Sequence, residues 1–185
     1  MKRILLFILT VIILGACNNR KEEQPVAIEQ PQFVSYETDL FSISYPSGYY
    51  INEVSPKENS HILFIGTDSL DRDMTTIIWN APNTFPNTVK EFTTLFTYKE
   101  MEEYKKNQSF YEVMNIDSTY TIDQHPTYST TSVFTEGSDT IIQSRTGMII
   151  PQKCDMMVIQ RVNTKESMNE VQLLASIINS IKIKE

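Results

Sequence analysis

The chain has 185 residues, with 16 basic and 23 acidic side chains, a formal net charge of −7, two histidines and two cysteines. That acidic balance argues against nucleic acid, whose binding rests on basic patches, and against a domain drawn onto anionic lipid by charge. Two histidines and isolated glycines leave little material for a nucleophile–base pair, a zinc site or a phosphate-cradling loop.

Met1-Lys2-Arg3 is a short basic start, and Ile4 to Leu14 follows without a charge, with Thr10 its one polar residue. Spanning a bilayer takes about 20 apolar residues, so this run suits a signal-peptide core instead. Leu14-Gly15-Ala16-Cys17 closes it and resembles the bacterial lipobox, in which the cysteine sulfur is lipidated and becomes residue one of the mature chain. A plain secretory signal with an incidental cysteine is the alternative. The expectation is a leader over 1–16 and lipid attachment at Cys17, with the two or three acyl chains (palmitate among them) that stable anchoring takes. Loss of Lys2 and Arg3 with the leader would leave 14 basic against 23 acidic side chains, a net charge of −9.

Asn18 to Gln32 (NNRKEEQPVAIEQPQ) has almost no apolar content, two prolines and clustered charge. It reads as a tether with a reach of roughly 20 Å. Asn18 is not the aspartate that often retains lipoproteins at the inner membrane. Lys21-Glu22-Glu23 resembles an acidic export signal of some Gram-negative groups, although an ordinary charged linker has the same look. The expected location is the cell envelope, at the outer membrane on its periplasmic or surface side. Residues 33–185 then make one domain of ordinary size.

Within that domain, Phe41, Ile43 and Tyr45 alternate with serines, the period-two signature of a half-buried strand. Pro46-Ser47-Gly48 turns the chain into Tyr49-Tyr50-Ile51. His61 to Ile65 and Thr75 to Trp79 are apolar or β-branched on both faces, as central strands are. Gly66 to Asp73 is a polar loop between them. Thr88-Val89-Lys90-Glu91 fits a capping box, and Val89, Phe92, Leu95 and Phe96 form a helical stripe. From Tyr111 to Val162 the chain is rich in threonine and serine and reads as an antiparallel meander with a partly wet face, turning at Glu136-Gly137-Ser138-Asp139. Ser167-Met168-Asn169-Glu170 caps a final helix with a predicted stripe of Met168, Val171, Leu174, Ala175 and Ile178.

Three segments carry a resemblance: Phe41-Ser42-Ile43-Ser44-Tyr45-Pro46-Ser47-Gly48-Tyr49, Asp123-Gln124-His125-Pro126-Thr127-Tyr128 and Ile177-Ile178-Asn179-Ser180-Ile181. In that order the domain resembles the PsbP/DcrB-like superfamily, which includes many small bacterial lipoproteins. Tyr49 stands where relatives carry tryptophan, and the turn before Pro126 lacks their glycine. The resemblance implies an α+β fold, a central antiparallel sheet of about six or seven strands with helices packed on its faces. It implies no activity, since the superfamily shares no active site and its known members are binding or assembly factors.

Ser60 and His61 are adjacent on a strand and point to opposite faces, and His125 sits in a turn before proline. Neither placement makes a catalytic pair. Asp68, Asp71 and Asp73 share a loop, but a calcium-binding hand begun at Asp71 would need glycine at Thr76 and glutamate at Pro82. Cys154 is expected to be a buried small hydrophobe, given Met156, Met157, Val158 and Ile159 beside it. Asp68-Ser69-Leu70, Asp117-Ser118-Thr119 and Asp139-Thr140-Ile141 resemble an O-glycosylation signal of some surface-protein-rich bacteria, which makes Ser69, Ser118 and Thr140 candidate sites. Turns and strand starts favour the same tripeptides. The expected function is a lipid-anchored, non-enzymatic binding or assembly domain. Its partners would be the membrane through the lipid and a protein or envelope component, with no cofactor, metal or nucleic acid. An envelope hydrolase with a site hidden from sequence adjacency is the alternative.

Overall fold

The computed structural model describes residues 31–67, 75–84, 88–107, 110–165 and 168–185, with the backbone alone at 115–117. The expectations at Cys17, Ser69, the Gly66–Asp73 loop beyond Thr67 and the Ser167 cap lie outside the described residues. In chain order the elements are β1 (Phe33–Glu37), β2 (Phe41–Pro46), β3 (Tyr50–Lys57), β4 (Ser60–Gly66) and β5 (Thr75–Asn80), then α1 (Val89–Lys106). They continue with β6 (Tyr111–Ile122), β7 (His125–Glu136), β8 (Asp139–Ile150), β9 (Cys154–Asn163), α2 (Met168–Asn179) and β10 (Lys182–Ile183).

Every strand pairing is antiparallel. Seven strands form the main sheet in the order β3-β4-β5-β9-β8-β7-β6. From β5, in mid-sheet, the chain passes through α1 to the far edge and meanders back until β9 zips against β5. The meander turns on residues that tolerate positive φ. Asp123 (φ 45°) and Gln124 (φ 69°) make the two-residue β6–β7 turn without glycine, and Gly137 (φ 58°) serves β7–β8.

The sheet is thus the α+β architecture expected, with one addition. β1, β2 and β10 form a separate three-stranded sheet. β2 was legible as a strand, but Phe41 and Ile43 bury completely by packing across onto the main sheet. Phe33–Glu37 and Lys182–Ile183 are too short or too exposed to show alternation.

One face of the main sheet carries the apolar core. Leu63 and Ile65 of β4, Ile77 and Trp79 of β5, Met148 and Ile150 of β8, and Cys154, Met156 and Val158 of β9 meet β2 and α2 there. The buried stripe of α2 is Leu174, Ile177 and Ile178, spaced i, i+3, i+4, and Ile181 just past the helix end is buried with it. This corrects the expected stripe, because Met168 (71 % exposed), Val171 (41 %) and Ala175 face outward. The docking residue is Ser180, whose hydroxyl accepts from Ser44 N at 2.8 Å and donates to Ser44 O at 3.1 Å. The contact from Ser44 N ties the helix end to β2, while the Ser180 hydroxyl also lies 2.7 Å from Ile177 O of its own helix.

The opposite face is different in kind. α1 lies over β6, β7 and β8 and begins at Thr88, whose hydroxyl accepts from Glu91 N at 3.2 Å and donates to the Glu91 carboxylate at 2.9 Å. Its buried residues are Phe92, Thr93 and Thr97. Thr93 donates to Tyr128 O at 3.2 Å and Thr97 shares a hydroxyl bond of 2.7 Å with Thr130. The meander's polar residues are therefore largely dry, with Thr130 and Ser132 buried under α1 and Thr127, Ser129 and Thr146 buried on the other face. Gly147 permits the close approach, since a Cβ there would overlap the Thr93 hydroxyl.

Leu174→Ala should cost about 2–5 kcal/mol, the transfer loss plus a cavity, whereas exposed Gln172→Ala should change stability by no more than about 0.5 kcal/mol. Equal small effects in denaturant titration would mean that α2 is not docked. On the other face, Gly147→Ala should destabilise by about 1–3 kcal/mol through overpacking, and Thr93→Ala in the same chain should recover part of that loss. A double-mutant cycle without coupling would refute the contact.

Candidate functional site

Among the described residues an open cleft of about 850 Å³ lies between the C-terminal half of α1 and strands β8 and β9. Helical spacing brings Leu95, Phe96 and Lys99 to one side of α1, and strand alternation brings Arg145 and Ile159 up from the sheet. Arg145 is only 3 % exposed. Its Nη2 donates to the Glu100 carboxylate on α1, and its Nη1 donates to the Tyr111 hydroxyl at 3.3 Å. Glu100 also receives the Tyr111 hydroxyl and Gln143 Nε2, each at 2.8 Å. A buried guanidinium without a carboxylate would be strongly destabilising, so the four side chains act as a unit. Burial pushes the Tyr111 phenol up, partly offset by the positive charge of Arg145.

Beside this group, Tyr104, Tyr111 and Phe134 pack ring to ring with centroids 4.9–5.7 Å apart. Burial holds the Tyr104 phenol near 12. The chemistry on offer is apolar contact from Leu95, Phe96 and Ile159, with a charged pair at the base and exposed Lys99 and Lys106 at the rim. The cleft's size falls within the roughly 300–1,000 Å³ of small-ligand sites. No serine, threonine, cysteine or histidine lines it.

A second cavity, of about 450 Å³, lies on the other face between β1 and the β3–β4 hairpin. His61 stands directly across from Trp79, and the two rings stack at 5.0 Å with planes 6° apart. His61 Nδ1 is 3.2 Å from Glu53 Oε1 and 2.9 Å from Ser55 Oγ, and the Tyr36 hydroxyl donates to the other Glu53 oxygen. Serine, histidine and glutamate thus meet, but not as a hydrolytic relay. A relay needs the acid on one ring nitrogen and the nucleophile on the other, whereas here both oxygens face Nδ1.

Sequence adjacency offered His61 the wrong serine, since Ser60 shares its strand and Ser55 reaches it across the hairpin. The available signal was Asn59, whose positive φ (62°) closes the turn and folds Ser55 and Glu53 back toward His61. His125 opens β7, four strand positions from β4 and so roughly 19 Å away, and does not join His61. Its neighbour Asp123 accepts from Ile183 N at 2.7 Å and from Lys182 Nζ at 3.3 Å, and the Ile183 bond holds its carboxyl below the usual range.

Cys154 is fully buried and free, and burial pushes its thiol to about 11. It is an inert core residue. Ser118 lies half-buried in β6 opposite Ser129, and Thr140 lies half-buried at the start of β8 opposite Thr135. The two are not brought together. Among the described residues no three His, Cys, Asp or Glu side chains converge as a metal site requires, and no helix is long and apolar enough to cross a membrane.

No family model matches the sequence, and no curated protein matches it. The similarity lies in three dimensions. The chain is similar to the cyanobacterial PsbP protein (CyanoP) of Synechocystis sp. PCC 6803, with a TM-score of 0.56 and 13 % identity over 85 % of this chain and 96 % of that one. It is also similar to LpqN, described as involved in cell envelope biogenesis of Mycobacterium tuberculosis, with a TM-score of 0.54 and 11 % identity over 84 % of this chain and 91 % of that one. At such identities the likeness is one of fold, and the fold is PsbP-like.

Proposed function

We propose that the chain is an exported lipoprotein, anchored through Cys17 at the outer membrane, whose PsbP-like domain binds an envelope component in the cleft beside α1 without catalysing a reaction. The observation that carries the reading is the cleft itself. It is large enough for a ligand, Leu95, Phe96 and Ile159 give it apolar surface inside a charged rim, and the buried Arg145 is paired with Glu100. A hydrolase of the serine or cysteine type would need a hydroxyl or thiol nucleophile with a histidine beside it, and no serine, threonine, cysteine or histidine among the described residues lines the cleft. LpqN's described role in envelope biogenesis is compatible with this reading. The leader pattern before Cys17 supplies the route to the envelope, and Asn18 to Gln32 supplies the reach.

Two outcomes test it. Cys17→Ser should block lipidation, so that the protein no longer partitions into detergent and an uncleaved precursor accumulates; unchanged partitioning would refute the anchor. For the cleft, a photo-crosslinking side chain at exposed Lys99 should capture a partner in intact cells, and the same group at exposed Gln172 on α2 should not. Equal yields from both positions, or none from Lys99, would refute the cleft as the binding site.

A further inference from the structure

The cavity between β1 and the β3–β4 hairpin lies on the opposite side of the sheet from the cleft. We propose that it is a second binding site, one that takes the cationic end of a ligand, an ammonium or guanidinium group on an organic stem. The first support is its shape. At about 450 Å³ it is the size of a small-ligand site, and Leu40 and Trp79 give it an apolar wall.

The second support is the proton inventory. Glu53 can only accept, so the 3.2 Å contact between its Oε1 and His61 Nδ1 places the imidazole proton on Nδ1. Ser55 Oγ, 2.9 Å from the same nitrogen, is then a second acceptor for that proton. The Tyr36 hydroxyl gives its proton to Glu53, and burial together with that carboxylate pushes the phenol far above its ordinary range. Its proton is committed. Thr38 donates to Phe41 O at 3.2 Å.

The third support is charge, since Glu53 is one of three acidic residues in the lining. Glu37 and Asp39 line it with carboxylates, and no lysine or arginine among the described residues lines it. Lys184 offsets part of the charge by pairing with Glu37 at 3.1 Å, but both partners are largely exposed and such pairs are weak. An anionic ligand would meet like charge. A group carrying several N–H donors and a positive charge fits what is present, and its charge-assisted bonds are the strong kind.

Trp79 is the chain's one tryptophan, so its fluorescence reports on this wall alone. Arginine amide, titrated into the full-length chain in detergent, should change Trp79 emission saturably. Citrulline amide, its neutral isostere, should not. Asp39→Asn with Glu37→Gln, both at exposed positions, should weaken the arginine amide response about tenfold or more. Glu91→Gln with Glu112→Gln removes the same charge elsewhere and should leave the response unchanged. An absent or unsaturable response, equal binding of citrulline amide, or equal weakening by the Glu91 and Glu112 pair would each overturn the proposal. The last result would show only attraction to an acidic protein.

Discussion

Arg145 holds a permanent charge where only 3 % of its surface meets solvent, and that is tolerable only while a carboxylate stays beside it. The carboxylate comes from α1, 45 residues away in sequence, so one ion pair ties the helix to the sheet at a fixed position along its length. Gln143 and Tyr111 spend their donors on the same Glu100 and leave it little freedom to move. One helical turn and more toward the N-terminus, Thr97 and Thr93 reach Thr130 and the Tyr128 carbonyl, and Gly147 lets the backbones close. Directional contacts of this kind specify a register where apolar packing would accept several. The cleft follows from that register, since the same placement turns Leu95 and Phe96 toward Ile159 and leaves space between them.

The two faces of the sheet were unequally legible in the sequence, for a physical reason. The α2 face is held by hydrophobic burial, and hydrophobic periodicity announces it. Even there the stripe was misplaced by about a turn, because Met168 and Val171 satisfy the helical period without having a surface to cover. Ile177 was passed over for Ala175, although Ile177 is the one that is fully buried against the sheet and Ala175 is exposed. The α1 face buries Phe92 and Phe134 but depends as well on hydroxyls and one ion pair, which apolar periodicity cannot show. Threonines at 93, 97 and 130 look like solvent-facing residues of an amphipathic helix and a wet strand until their bonds are seen to satisfy one another.

Both cavities escaped the sequence because each is built from residues far apart in the chain. Glu100 and Arg145 belong to a helix and a strand that meet only after the chain has crossed the sheet and turned twice. Tyr36, Glu53 and His61 meet because β1 belongs to a second sheet, and Phe33–Glu37 lacks the alternation that would mark it as a strand. The strands of the main sheet were visible because their pattern is local. The β2–β10 pairing, which joins Phe41 to Ile183, was not.

Strand alternation also keeps the two cavities separate. Along β5, Trp79 faces the His61 side, while Thr76 and Ile78 face the side of α1; along β9, Met156 and Val158 serve the first face and Ile159 the second. β5 thus lends Trp79 to one cavity and its partner β9 lends Ile159 to the other, and a side chain can change on one face without displacing its neighbour on the other. The sites are still joined by the backbone of β5 and β9, whose pairing closes the fold. A ligand on either face would stiffen that shared pair. Any coupling between the sites would therefore travel through strand pairing and not through side-chain contact, since no side chain reaches both faces.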